Sequence, residues 1–249
     1  MHVPARKLYQ RIAEDIAAAI ADGRYRPGTR LPGERDLAEE FAVSRPTIRE
    51  AMIALEIRGM VEARQGSGIY VTQAPPPAGR SPELDVGAFE LNEARILFEG
   101  EAAALAATSI EDETLAALDR VLESMAGAGE SPGAVDADRE FHLLIAEGTG
   151  NSIVRSVVEM LWQIRESSPL CVHMFGKARR EGVTPRVAEH RLIVDALRAR
   201  NPQAAREAMR AHLRRVTEDL LAATEVELIE RAQAEAHAQR SRIAQRASL

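Results

Sequence analysis

"AVSRPTIREAMIALEIRGMVEARQGSGIYVT", residues 42–72, joins a helix pattern to a hairpin pattern. Ser44 is of a residue type favoured as an N-terminal cap, and Ile48 and Leu55 fall on one face of the helix that would follow it. After Gly59 the chain alternates apolar and polar residues on both sides of a glycine-containing turn, which is typical of a β-hairpin. The stretch therefore predicts a helix that begins after Ser44 and a hairpin that follows it.

Two further helix patterns precede this stretch. The first has a large aliphatic residue at every fourth position, at Leu8, Ile12, Ile16 and Ile20. It predicts a helix that ends near Asp22 and Gly23. The second pattern, "LPGERDLAEEF" over residues 31–41, predicts a short helix. Three helices followed by a hairpin make a winged helix-turn-helix domain, which we expect over residues 1–73.

Arginines at the start of the third helix make this domain a candidate DNA-binding unit. Arg45 and Arg49 are one turn apart and share a face rotated away from the apolar stripe. A recognition helix enters the major groove with its N-terminal turns, where an arginine bonds two acceptors of guanine. Further candidate DNA contacts are Arg35, Ser44, Thr47, Arg64 and Gly66. Each residue alone fits a solvated surface equally well, but together, in this order of elements, they favour DNA binding.

Composition and charge restrict the class of protein. A chain of 249 residues is long enough for two domains, and 45% hydrophobic residues with only 4% aromatic residues favour a mainly α-helical fold. The net charge of −6 is unevenly distributed: residues 1–73 hold 11 Lys and Arg against 10 Asp and Glu, and the remainder holds 21 against 28. Only the N-terminal segment is suited to a phosphate backbone.

Cysteine content and hydropathy indicate the compartment. Cys171 is the single cysteine, which excludes a disulfide framework within the chain and fits a reducing environment. The N-terminal residues have no signal-peptide pattern, and no stretch is apolar for the roughly 18 residues that a membrane helix needs. We expect a cytoplasmic protein without membrane association.

A proline-rich segment, "APPPAGRSP" at residues 74–82, marks a domain boundary. We expect a linker over 74–86, a helical domain over 87–230, and an exposed or disordered tail over 231–249. Periodicity within the second domain predicts an all-helical bundle, with helices near residues 88–108, 111–126, 134–147, 152–168, 184–199 and 202–230.

Polar side chains occupy the apolar stripes of three helices in the second domain. Asp138 and His142 are one turn apart, and His190 and His212 interrupt stripes on two other helices. Burying a polar side chain costs several kcal/mol unless it is satisfied, so four on facing stripes are expected to converge. Imidazole and carboxylate ligands suit Zn, Ni, Mn or Fe. For a single histidine on an apolar face, a hydrogen-bonded core residue is the alternative.

Arg95 interrupts another apolar stripe, which we predict to consist of Leu91, Phe98, Ala102 and Leu105. A buried guanidinium needs an anionic partner. Two partners fit this requirement: an acidic side chain of the protein itself, or the carboxylate of a small ligand, which arginine binds with two parallel donors.

The segment "GTRLPGERDLAEEFAVSRPTIREAMIALEIRGMVEARQGSGIYV", residues 28–71, closely resembles the DNA-binding domain of GntR-family transcription regulators. The resemblance extends over residues 6–72. It implies that a homodimer binds a short palindrome of double-stranded operator DNA. The positions that match the family's DNA contacts are Arg35, Ser44, Arg45, Thr47, Arg49 and Gly66.

The second domain resembles the metal-binding FCD sensor domain of the FadR-like subfamily, an antiparallel helical bundle that dimerises. "EARILFEGEAAALAA", "DADREFHLLIAEGTGN" and the later histidines carry this resemblance over about residues 88–224. It implies one divalent metal ion per chain, with zinc expected before Ni, Mn or Fe. The implied ligands are Asp138, His142, His190 and His212. Arg95 would contact an effector carboxylate and Asn151 would line the pocket, although a helix N-cap is the alternative for Asn151.

"LYQRIAEDI", "REAMIALEIRGMVEARQGSGIYV" and "FELNEARILFE" are most similar, within the family, to repressors of hexuronate utilisation. We therefore expect a ligand-responsive transcription regulator, a repressor of a sugar-acid catabolic operon that a small carboxylate at the metal site releases from DNA. A metalloenzyme fused to a DNA-binding domain and an architectural DNA binder with a structural metal are the alternatives. No nucleophile motif accompanies the histidines, so an enzyme is not expected.

Overall fold

The computed structural model of the chain describes residues 7–64, 67–73, 86–128 and 132–223. The chain divides into two compact units, and the second comprises Val86–Leu220. Gly66, the expected linker up to residue 85 and the expected tail over 231–249 lie outside the described residues.

The N-terminal unit is a winged helix-turn-helix, as predicted. Its elements are α1 (Leu8–Ala21), α2 (Glu34–Phe41), α3 (Arg45–Ile57), β1 (Val61–Arg64) and β2 (Gly68–Val71). The strands pair antiparallel, with Val61 opposite Val71 and Arg64 opposite Gly68. The hairpin therefore returns the chain beside α3, where a wing is expected.

Local sequence explains where α3 begins and what it packs against. The Ser44 hydroxyl accepts a hydrogen bond from the Thr47 amide at 3.3 Å, which satisfies one of the free donors at the helix start. The inner face of α3 carries Ile48 and Leu55, which are both fully buried. The helix packs against α1 and α2. The predicted N-cap and the predicted apolar stripe are both confirmed.

The second unit is the predicted all-helical bundle. Its helices are α4 (Ala88–Ser109), α5 (Asp112–Ala128), α6 (Pro132–Glu147), α7 (Ser152–Ser167), α8 (Pro169–Arg180), α9 (Val187–Arg198) and α10, which is described over residues 202–223 and belongs to this unit up to Leu220. One continuous hydrophobic core joins α4, α5, α6, α9 and α10, and includes Leu122, Phe141, Ile193 and Leu213. None of the described helices is long and apolar enough to cross a membrane.

Helix α8 was not predicted from the sequence. The predicted helices leave residues 169–183 without a helix, whereas α8 extends from Pro169 through Gly176 to Arg180. The start of α8 follows the usual rule, because the Ser168 hydroxyl accepts from the Cys171 amide and Pro169 occupies the first turn. The pair Ser168 and Pro169 was the sequence feature from which the start of α8 could have been predicted.

The predicted apolar stripe of α4 is wrong in part. Leu91 and Ala102 are buried, but Phe98 and Leu105 are 53% and 43% exposed. Alanines and leucines occupy every face of α4, so periodicity does not identify its inner face.

Candidate metal centre and ligand cleft

The four predicted metal ligands lie together in the core of the second unit. Asp138 and His142 come from α6, His190 from α9 and His212 from α10. One candidate ligand atom from each residue lies within 4.8 Å of those of the other three, and all four residues are buried. Three rigid helices therefore supply the cluster, as the inward stripes predicted.

Two of the histidines are oriented through their Nδ1 atoms. Nδ1 of His190 lies 2.9 Å from the backbone oxygen of Arg186, and Nδ1 of His212 lies 3.2 Å from a Glu189 carboxylate oxygen. Each partner accepts a hydrogen bond from Nδ1–H, which leaves Nε2 with its lone pair as the free ligand atom. Burial and the neighbouring histidine charges lower the pKa of His212 to about 4, so its imidazole is neutral at neutral pH.

The third histidine, His142, is oriented by a residue that the sequence interpretation missed. Its Nδ1 lies against Oε2 of Glu99, a side chain of α4 that is only 2% exposed. Oε1 of Glu99 accepts a hydrogen bond from Arg95 Nε at 2.6 Å. The signal available in the sequence was an acidic residue one turn after Arg95 in a largely apolar helix. Arg95, Glu99 and His142 thus form a buried chain in which the carboxylate lies between the guanidinium and the imidazole.

These contacts shift the pKa values of Glu99 and His142 in opposite directions. Burial by itself raises the pKa of Glu99, but the charges of Arg95 and His142 outweigh burial and lower that pKa to about 2. Burial by itself lowers the pKa of His142, yet Glu99 and Asp138 raise it above the ordinary histidine value. Glu99 is therefore a carboxylate at every physiological pH and strengthens His142 as a base.

The residues present fit a divalent metal ion. Oδ1 of Asp138 lies 3.0 Å from Nε2 of His190 and 3.7 Å from Nε2 of His142. Nε2 of His142 is buried and has no hydrogen-bond partner among the described residues, a costly state for a polar atom. A cation bound by Nε2 atoms and a carboxylate oxygen would satisfy it, and three imidazoles with one carboxylate are an ordinary donor set for Zn, Ni, Mn or Fe.

Arg165, on α7, is a second neighbour of the cluster that the sequence interpretation missed. Its Nη1 donates to Oδ2 of Asp138 at 3.3 Å. Its guanidinium carbon lies 4.4 Å from the centre of the Trp162 ring and 4.3 Å from that of Phe175. Burial lowers the pKa of Arg165 to about 10, so the side chain remains charged at neutral pH.

A cleft opens beside the cluster. Its empty volume is about 710 Å³, part of it open to solvent. Asp138 and His212 form part of its wall, so the candidate metal site faces the cleft. Four arginines also line it, namely Arg165, Arg179, Arg186 and Arg215. Glu189 and Asp219 line it as well, so the cleft combines a candidate metal site with a wall of mixed charge that holds four arginines.

The two predicted effector contacts lie outside this cleft lining. Arg95 is 1% exposed and pairs with Glu99, which corresponds to the alternative of a partner within the protein. Asn151 caps α7, because its side-chain oxygen accepts from the amides of Ile153 and Val154 at 3.0 and 3.3 Å. The structure therefore gives both residues an intramolecular contact, and their roles toward an effector stay predictions.

In the N-terminal unit the candidate DNA contacts differ in their exposure and in their ion pairs. Arg35 and Arg45 are exposed, as is Arg64, which pairs with the neighbouring Glu62 at 2.7 Å. Arg49 instead donates to both carboxylate oxygens of Glu34, at 2.9 and 2.5 Å. A base contact by Arg49 requires this ion pair to rearrange.

Two family models match the chain. The FCD domain matches residues 90–215, and the gntR family of bacterial regulatory proteins matches residues 8–71. The chain belongs to the GntR family of regulators. Within this family, the Uxu operon transcriptional regulator of Escherichia coli K12 is 36% identical over 230 residues, which cover 87% of this chain and 88% of that protein.

Two further relatives of this GntR-family protein also come from Escherichia coli K12. The Exu regulon transcriptional regulator is 35% identical and covers 84% of this chain and 82% of that protein. The Glc operon transcriptional activator is 28% identical and covers 86% and 89%. The family and these relatives regulate transcription, so this protein is a DNA-binding transcription regulator with a ligand-sensing domain and not an enzyme.

Proposed function

We propose that this regulator represses a catabolic operon for hexuronates or related sugar acids, and that a small carboxylate bound at its metal site releases it from operator DNA in the cytoplasm. The observation that carries the proposal is the buried Asp138, His142, His190 and His212 cluster at the wall of an arginine-lined cleft. The similarity to the Uxu and Exu regulators supports the class of effector.

The cluster of Asp138, His142, His190 and His212 is proposed to bind one divalent ion per chain, and zinc is the ion proposed before Ni, Mn or Fe. When bound, the ion supplies a Lewis-acid site for the oxygens of a hydroxy- or oxo-carboxylate. The protein orients the imidazoles through Glu99, Glu189 and the Arg186 carbonyl, and partners of this kind typically change metal affinity by 10- to 100-fold. The ligands lie on helices, so the site is held in a fixed geometry.

The proposed partner is palindromic double-stranded DNA bound by a homodimer. Its candidate contacts are Arg35, Ser44, Arg45, Thr47, Arg49, Arg64 and Gly66. Exposed apolar side chains support a second copy as partner, because α4 and α7 are packed neighbours and both carry them. They are Leu97, Phe98, Leu105, Ile153 and Met160, which are between 43% and 70% exposed. Several exposed apolar side chains on two packed helices favour an interaction site there.

Effector binding releases the operator only if the effector binds one arrangement of the dimer more tightly than the other. A coupling free energy of about 1–3 kcal/mol between the two sites is ordinary for such regulators. The proposed coupling passes from the cleft to the position of the two winged helices.

The experiment is a titration of metal-loaded protein on DNA from upstream of its own gene, followed by fluorescence anisotropy. Glucuronate, galacturonate and short hydroxy acids are added, with glucose as the uncharged control. We expect release by one or more uronates and none by glucose. If none of the acids changes the affinity for DNA while the protein still binds it, the proposal is wrong.

A further inference from the structure

The cleft needs a group that receives the carboxylate of its ligand, and Arg95 does not line it. Arg95 is 1% exposed and its Nε donates to Glu99 at 2.6 Å. Its charge is therefore balanced inside the protein, at the far end of the chain that leads through Glu99 to His142.

The four arginines that line the cleft differ in their acidic partners. Arg186 pairs with Asp219 at 2.8 Å, and Arg215 pairs with Glu218 at 2.8 Å. The carboxylates of these partners neutralise the two guanidinium groups, which leaves them little unbalanced charge for a ligand.

Arg165 has a different environment. Its ion pair among the described residues is with Asp138, at 3.3 Å, and Oδ1 of Asp138 also lies 3.0 Å from Nε2 of His190. A metal ion bound by Asp138 would draw on the same carboxylate, so the charge of Arg165 would then lack a carboxylate of its own. Arg179 lines the same cleft and adds a second positive charge.

The side chain of Arg165 is also held in one position. Trp162 and Phe175 lie 4.4 and 4.3 Å from its guanidinium carbon. Aromatic contacts of this kind stabilise a guanidinium and restrict its rotation. Only one of its N–H groups is used by Asp138 among the described contacts, and arginine offers five such donors in a planar fork.

We propose that Arg165 receives the carboxylate of the effector, while other oxygens of the effector face the metal ligands. This assignment rests on the proposed function, since it requires a carboxylate ligand in the cleft. Under this assignment the residue that selects for acids is Arg165 and not the buried Arg95. The guanidinium of Arg165 lies at the cleft wall, next to Asp138.

The test compares glucuronate with glucuronamide, which has the same ring but a neutral amide in place of the carboxylate. Binding of each to metal-loaded protein is measured by calorimetry in the wild type and in Arg165→Gln. Arg165→Met is a second variant that keeps an unbranched side chain between the two rings. Arg155→Gln is the matched control, because Arg155 is on the same helix, pairs with Glu159 and does not line the cleft.

We expect the wild type and the control to prefer glucuronate by roughly 10- to 100-fold, the size of a charge-assisted hydrogen bond. In either Arg165 variant this preference should fall toward one, at unchanged metal content. A general loss of structure would weaken the binding of both ligands alike and leave the ratio of their affinities unchanged. A fall in this ratio therefore reports the loss of the Arg165 contact, and a retained preference for glucuronate overturns the assignment. If neither ligand binds the wild type, the hexuronate proposal itself falls, and the role of Arg165 falls with it.

Discussion

Nδ1 of His142 lies against Oε2 of Glu99, although the two residues belong to different helices and are 43 positions apart in the sequence. The carboxylate fixes the tautomer of His142, since a hydrogen on Nδ1 leaves Nε2 as the ligand atom. Oε1 of the same carboxylate is held by Arg95. Glu99 therefore connects the buried arginine to the candidate metal site.

Replacing Glu99 by glutamine tests this connection. Glu99→Gln keeps the shape of the side chain but removes the charge that orients His142, so we expect zinc affinity to fall by roughly 10- to 100-fold. The measurement is competition with a chromogenic chelator, with circular dichroism to follow folding. Glu101→Gln is the matched control, because Glu101 lies two residues away, is exposed and pairs with Arg206. Equal zinc affinity in the two variants would exclude the proposed role.

Metal affinity should also depend on pH in a direction that follows from the pKa of His142. Metal and proton compete for its imidazole, and Glu99 and Asp138 raise the pKa of His142 in spite of burial. Protonation therefore begins at a higher pH than for an ordinary histidine, and acidification through the raised pKa weakens zinc binding. We expect the apparent zinc affinity to rise with pH and to level off only above the raised pKa of His142.

The control for this profile is the Glu99→Gln variant. Without the carboxylate, the pKa of His142 loses a contribution that raises it, so the decline in zinc binding should move to lower pH. A pH profile that is the same in both proteins would contradict the assignment of His142 as the competing group.

Much of the fold and of the candidate site was predictable because α6, α9 and α10 each have one aliphatic face. Against that background Asp138, His142, His190 and His212 are conspicuous, and helical geometry then requires them to face the core. The cap at Ser44 was predictable for a similar local reason, since it depends only on the residues around it.

The residues that support the metal ligands were not predictable in the same way. Glu99 lies on α4, where Ala103 is buried while Leu97 is 62% exposed, so apolar periodicity does not mark the inner face. Arg165 contacts Asp138 across 27 positions of sequence. Such contacts depend on how helices are packed, and a single sequence does not give that packing.

Removal of a metal ligand should abolish the site without unfolding the domain. His212→Ala is expected to lower the zinc content of the purified protein and the response of DNA binding to sugar acids, because one of four ligands is lost. Elemental analysis gives the zinc content. His173→Ala is the control, since His173 is outside the cluster. Full zinc occupancy in His212→Ala would remove His212 from the proposed ligand set.

Arg45 should contribute to DNA recognition directly. It is exposed at the first turn of α3, and a base contact by arginine is typically worth about 1–3 kcal/mol. Arg45→Ala should weaken operator binding accordingly and relax the base preference at one position of each half-site, as measured by anisotropy on a set of substituted operators. Arg24→Ala removes the same charge from the turn after α1 and is the control. Equal losses in both variants would indicate a purely electrostatic effect.

Arg49 offers a sharper test because Glu34 holds it in the structure. If Arg49 contacts a base, breaking this ion pair is a cost of binding, so Glu34→Gln should increase operator affinity while Arg49→Ala decreases it. Removing any negative charge near DNA also favours binding, and Glu40→Gln, which removes the partner of Arg24, measures that general effect. A gain in Glu34→Gln no larger than in Glu40→Gln would mean that Arg49 keeps its ion pair on DNA and acts by positioning α2 against α3.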